Sequence, residues 1–194
     1  MWEIPHIMKK ISLSVLTILT FLFFQNCKKS TSDDTTTTPA QLTAIINSTS
    51  WTPDTLSATI TYNSATKTKV FGFTGTHSQK QITCTVTLNN ATALNDFTTG
   101  ANTVDSSGNP LMVYSTQQKN SNGNYVFVPV ATASSGNGTV TISSVNSASG
   151  LISGTFDFSY KKANYDQNGN IVSVTNDIIT GGVFTNMPYT FIIK

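Results

Sequence analysis

Leu151-Ile152-Ser153-Gly154-Thr155-Phe156-Asp157-Phe158-Ser159-Tyr160 places Ile152, Gly154, Phe156, Phe158 and Tyr160 at every second position, with Ser153, Thr155, Asp157 and Ser159 between them. Successive side chains of a strand point to opposite sides, so one face of this segment is apolar and aromatic and the other is polar. Such a strand rests one side on a core and turns the other to water. Ile82-Thr83-Cys84-Thr85-Val86-Thr87-Leu88 repeats the pattern and puts Cys84 among the core-facing residues, as a small hydrophobe with a thiol made inert by burial.

Working outward, apolar alternation separated by turn residues recurs along the chain, and no segment beyond Ala40 has helical periodicity. Strands are expected at Leu42 to Asn47, Leu56 to Tyr62, Lys69 to Thr76, Gln81 to Leu88, Leu111 to Gln117, Asn124 to Ala131, Gly138 to Ser144, Leu151 to Tyr160, Asn170 to Thr175 and Gly182 to Ile193. About ten short strands predict an all-β fold, an antiparallel β-sandwich with a meander β-barrel as the alternative. Phe71 and Phe73, Tyr125 and Phe127, and Val140 and Ile142 are expected to join the aromatic face in one layer between two sheets. Ser121-Asn122-Gly123-Asn124, Ser135-Gly136-Asn137-Gly138 and Gln167-Asn168-Gly169-Asn170 predict hairpins between sequence neighbours. Asn124 to Val130 is apolar on both faces and reads as a central or covered strand; Asp96 to Asn109 has no pattern and reads as a long loop.

The start of the chain is built differently. Met8-Lys9-Lys10 precedes an apolar run, Ile11 to Phe24, which ends in Phe24-Gln25-Asn26-Cys27-Lys28-Lys29-Ser30. Fourteen helical residues would span ~21 Å, short of a ~30 Å hydrocarbon core, so the run reads as an export signal rather than a membrane span. Cys27 at its end reads as the lipidation site of a bacterial lipoprotein, and Met8 as the true start. Phe24 and Asn26 resemble the looser cleavage pattern of Bacteroidota lipoproteins, and Lys28 after the Cys resembles an outer-membrane sorting signal. Residues 1–26 are thus expected to be a signal peptide, 27–40 a lipidated Cys with a flexible Thr-rich stalk, and 41–194 the all-β domain. The stalk, low in apolar residues and ending in Asp33-Asp34-Thr35-Thr36-Thr37-Thr38-Pro39, would span about 20 Å as a coil. The expected address is the outer membrane, lipid-anchored and facing the periplasm or the cell surface. Acyl chains on Cys27 would supply the membrane attachment, with palmitate among them.

The composition excludes several functions. Lysines supply all 11 basic residues, the acidic residues number 9, and 33 Thr, 22 Ser and 18 Asn take the place of charge. Without clustered Lys and Arg there is no counterion-displacing patch, so nucleic acid is not an expected partner. With Cys27 lipidated, Cys84 has no disulfide partner within the chain. Asn47, Asn90 and Asn137 begin glycosylation sequons, fewer than chance would place in so Ser- and Thr-rich a chain, so the motif carries no signal.

The last third carries a resemblance. Gly150-Leu151-Ile152-Ser153-Gly154-Thr155-Phe156-Asp157-Phe158 and Ile179-Thr180-Gly181-Gly182-Val183-Phe184-Thr185-Asn186-Met187-Pro188-Tyr189 resemble a family of Bacteroidota lipoproteins with a G-x-I-S-G-T-F-x-F strand and an I-T-x-G-x-F-x-N-x-x-Y end. Leu42 to Asn47 with Trp51 is similar to that family's first strand, with Ser48 where Gly is expected. The resemblance implies compartment and fold and brings no catalytic residue. Asp34-Thr35-Thr36 and Asp54-Thr55-Leu56 also resemble the O-glycosylation pattern of Bacteroidota.

Catalytic machinery is hard to assemble from what remains. His77, in the turn Gly75-Thr76-His77-Ser78, is the one His beyond Cys27, too few for a serine-type triad or a zinc site. Asp166-Gln167-Asn168-Gly169-Asn170 has its Gly at the fourth place, not the sixth of a calcium loop, and reads as a hairpin turn. No catalytic residue, metal ligand or cofactor is expected. Trp51 is the candidate ligand-binding residue, its ring stacking on a sugar; the competing reading puts it in the core. The expected function is a non-enzymatic binding or structural component of the cell envelope, with a glycan or an envelope protein as partner. The alternatives are a glycan-binding module, or a glycan-active hydrolase using two of Asp54, Asp96, Asp105, Asp157, Asp166 and Asp177.

Overall fold

A computed structural model describes residues 41–194. Cys27, the Thr-rich stalk and Asp34-Thr35-Thr36 lie outside the described residues. Twelve strands run in order: β1 Gln41–Ile46, β2 Thr49–Trp51, β3 Thr55–Asn63, β4 Thr68–His77, β5 Lys80–Leu88, β6 Gly100–Thr103, β7 Leu111–Lys119, β8 Tyr125–Thr132, β9 Gly138–Asn146, β10 Leu151–Tyr165, β11 Ile171–Pro188 and β12 Thr190–Ile193. They form two six-stranded sheets, β2-β1-β11-β10-β9-β6 and β12-β3-β4-β5-β7-β8, packed face to face as a sandwich rather than closed into a barrel. Every pairing is antiparallel except β12 with β3, which is parallel.

The period of two set the faces. Ile152, Phe156, Phe158 and Tyr160 are buried, as are Phe71, Phe73, Val140 and Ile142. Their rings meet between the sheets: Phe73 packs on Phe156 and Phe184 with centroids 5.3 and 5.6 Å apart, and Phe71 on Phe97 at 5.8 Å. Tyr125 and Phe127 depart from expectation, Tyr125 being 63% exposed and Phe127 half-buried. Their strand, β8, is the last of its sheet and contains Pro129, a residue tolerated in sheets chiefly at edges. Apolar residues on both its faces therefore do not mark a central strand.

Three loops share one construction. Asp105-Ser106-Ser107-Gly108-Asn109, Asn120-Ser121-Asn122-Gly123-Asn124 and Asp166-Gln167-Asn168-Gly169-Asn170 each place a side-chain oxygen of the first residue on the backbone N–H groups two and four residues on, at 2.8–3.0 Å. Their glycines have φ of 79°, 80° and 82°, the left-handed conformation that a bulged hairpin loop needs. The Asn120 and Asp166 loops join paired neighbours, β7 with β8 and β10 with β11. Ser135-Gly136-Asn137-Gly138 does not form the expected hairpin: it carries the chain from β8 in one sheet to β9 in the other. Turn residues mark the reversal but not which sheet follows it; at the start of β9, Gly138 leaves no room for a side chain, since a Cβ there would lie 2.4 Å from Met112 Cε and 2.8 Å from Phe158 Cβ.

The Asp166 loop makes a pH-dependent prediction with its own control. The N–H of Asn170, then its side chain, hold the Asp166 carboxyl below its ordinary 3.8. A carboxyl depressed in the folded state adds stability that is present above the unfolded pKa and is lost as pH falls through the folded one. Lowering the pH from 6 to about 3 should therefore raise the exchange of the Asn168 and Asn170 amides, after correction for intrinsic rates, more than that of Asn122 and Asn124, whose loop is held by an amide. Equal opening of both loops would sink the idea.

Two further expectations need correction. The segment read as a patternless loop contains β6, paired with β9. The two strands expected at Asn170 to Thr175 and Gly182 to Ile193 are one long strand, β11, followed by β12; the break comes at Pro188-Tyr189, where the chain crosses between sheets. Beyond Ile46↔Ile179 and Phe158↔Gly138, β10 and β11 continue past their neighbours as a two-stranded ribbon.

Candidate functional site

The strand β4 buries Lys69, Phe71, Phe73 and Gly75 on one side and leaves Thr68, Val70, Gly72, Thr74 and Thr76 half-buried on the other. Lys69 thus occupies a core-facing position and is only 2% exposed. Its ammonium donates to the Leu94 carbonyl at 2.9 Å and pairs with the Asp96 carboxylate. Both partners belong to the connection from β5 to β6, which is pinned further by Phe97, buried on Phe71, and by Asn95, which donates to the Ser147 carbonyl at 3.1 Å and accepts from the Tyr189 hydroxyl at 2.9 Å. Burial first, then the nearby Asp96 carboxylate, push the Tyr189 phenol above its ordinary value, so it remains a donor.

This connection and the strand ends beneath it enclose an open cleft of about 550 Å³. Its wall contains Lys69, Asp96, Thr87, Thr92, Thr98, Leu88, Phe97 and four asparagines, Asn89, Asn90, Asn102 and Asn109. Asn109 is structural: its amide closes on both the N–H and the carbonyl of Thr87, at 2.8 and 3.0 Å. Asn102 gives its NH₂ to the Gly100 and Val140 carbonyls. Asn89 and Asn90 are exposed, and among the described residues their amides have no partner within the chain. Most small-molecule pockets are predominantly apolar, and this wall is not: its hydroxyls and amides match a polar ligand better than an apolar one.

The residues singled out by sequence lie elsewhere. Trp51 is 4% exposed and packs with Leu42 and Pro53 around Gly75, so its ring has no face to offer a sugar; the core takes it, because Trp51 is paired with Ala44, a buried residue of β1, and shares its core-facing side. Cys84 is fully buried and free, its thiol pushed up by desolvation. His77 stands exposed at the end of β4 with Nδ1 2.8 Å from Asp54 Oδ2. Thr55 of Asp54-Thr55-Leu56 is exposed at the start of β3.

The six Asp residues have separate settings. Asp54 meets His77, Asp96 meets Lys69, and Asp177 accepts from the Asn47 amide. Asp105 and Asp166 organise their own loops, and Asp157 is exposed on β10. Among the described residues no group of three or more His, Cys, Asp or Glu side chains gathers into a metal-binding cluster. Lys69 is the residue that sequence reading missed, although the parity that put Phe71 and Phe73 inside puts Lys69 there too. Asp96 carried no such signal, because its backbone follows no period. No family model, curated protein or solved structure matches this chain.

Proposed function

We propose that this chain is a non-enzymatic binding protein of the cell envelope, held to the outer membrane through acyl chains on Cys27. The observation that carries the binding part is the polar cleft around Lys69. It offers hydroxyl, amide and ammonium groups but no His, Cys or paired carboxylate to move a proton or attack a bond. Lys69 itself is occupied in holding the Leu94 carbonyl and Asp96. The anchor rests on the sequence from Met8 to Ser30, and the lipid relieves the domain of carrying a membrane surface.

The test uses the full chain expressed in a bacterium of the lipoprotein type it resembles, fed an alkyne-tagged palmitate. Wild type should take the label and Cys27→Ser should not. An unlabelled wild-type protein would overturn the anchor. A photo-crosslinking residue at the exposed position of Thr92 should capture a second molecule from intact cells, and the same residue at exposed Thr55, far from the cleft, should not. Capture at neither position, or equal capture at both, would overturn the cleft as the binding site.

A further inference from the structure

We infer that the cleft takes a neutral, oxygen-rich ligand of the carbohydrate class; this deepens the proposed function and rests on it. The first argument is charge. Lys69 and Asp96 are the two charged residues of the wall and they pair with each other, so the cleft has no surplus charge to reward an ionic ligand. An anion would have to compete with Asp96 for a single buried ammonium, and a cation would find that carboxylate already engaged.

The second argument is an unused donor. An ammonium has three N–H groups, and among the described residues Lys69 finds two acceptors, the Leu94 carbonyl and Asp96. A buried donor left without an acceptor is costly, so the third favours an oxygen supplied from the cleft. A hydroxyl or ring oxygen meets that need without a counter-charge. Around it, Asn89 and Asn90 offer carboxamides that donate and accept at once, and Thr98 an exposed hydroxyl, which suits groups that also do both. Half-buried Leu88 and Ala91 give the wall its apolar part, where the C–H side of a sugar ring can rest, while Phe97 beneath them is buried on Phe71.

The experiment presents the detergent-extracted full chain to immobilised neutral hexasaccharides of glucose, mannose and xylose, and to hexagalacturonate as the acidic counterpart. At least one neutral oligomer should be retained, and more tightly than the acidic one. Asn89→Ala with Thr98→Ala, two exposed changes that spare the core, should weaken that retention at least tenfold while the thermal midpoint stays within about 2 °C of wild type. Retention of no neutral oligomer, preference for hexagalacturonate, or unchanged retention by the double variant would overturn the inference. If palmitate labelling and capture from position 92 persist while every saccharide fails, the ligand class falls and the binding reading stands.

Discussion

Gly154→Ala is expected to cost about 3 kcal/mol, a large share of the ~5–15 kcal/mol by which a domain is usually stable. A Cβ at Gly154 would lie 2.1 Å from the Thr141 carbonyl oxygen and 2.4 Å from Phe184 Cζ. Gly182 is its mirror, 2.4 Å from the Phe156 carbonyl oxygen and 2.6 Å from Phe156 Cε1. The register explains both: Gly154 pairs with Phe184, and Phe156 with Gly182. Two Gly-x-Phe sequences running antiparallel therefore place each ring over the other strand's glycine, and the rings fill space that no side chain occupies beneath them. Urea unfolding measures the loss. Gly72→Ala is the control, because the nearest atom to its Cβ would be the Thr85 methyl at 3.2 Å, on the outer face of the other sheet. Phe184→Leu should recover part of the Gly154→Ala loss by withdrawing Cζ, and only part, since the Thr141 carbonyl stays. A midpoint for Gly154→Ala within error of wild type would defeat the account.

That pair of motifs was legible in the sequence as a strand face but not as a contact. Alternation in Leu151 to Tyr160 says which side each residue faces; it does not say that Gly154 meets Phe184, because register is decided between strands thirty residues apart. The same limit explains the other departures. The loop at Asp166 is readable because its hydrogen bonds are local, whereas the turn at Ser135 to Gly138 looks like a hairpin from its residues alone, and its true course is defined by the pairing of β9 with β10 and β6, which local turn residues do not encode. β8 looks central because its apolar residues are on both faces, yet burial there depends on what lies opposite, and among the described residues no strand pairs with its outer edge. Trp51 illustrates the converse: ring chemistry suggested a ligand, and the position opposite Ala44 assigned it to the core. Of the cleft, half was within reach. Lys69 follows from parity with Phe71, while Asp96 and Leu94 come from a connection whose path only the folded chain defines.

The two ends of the Lys69–Asp96 pair should respond unequally to removal. The Lys69 side chain is 3% exposed and that of Asp96 56%. Asp96→Ala leaves a buried ammonium with the Leu94 carbonyl as its remaining partner, and stranding a buried charge costs about 3 kcal/mol. Lys69→Met leaves a carboxylate that turns to water, and a single carbonyl loses its donor, so its expected cost is about 1 kcal/mol. Larger loss from the acid than from the base is the signature, and in a Lys69→Met background Asp96→Ala should be close to neutral. Urea unfolding of the four proteins completes the cycle. If Lys69→Met costs as much as Asp96→Ala, the ion pair is not what holds the connection. The cycle also separates holding from binding. Lys69→Met should stay within about 1 kcal/mol of wild type yet lack the donor that reaches a neutral ligand, so retention of a saccharide should fall further than in Asp96→Ala, although Asp96→Ala loses more stability. A cleft that served only as packing would show the two changing together.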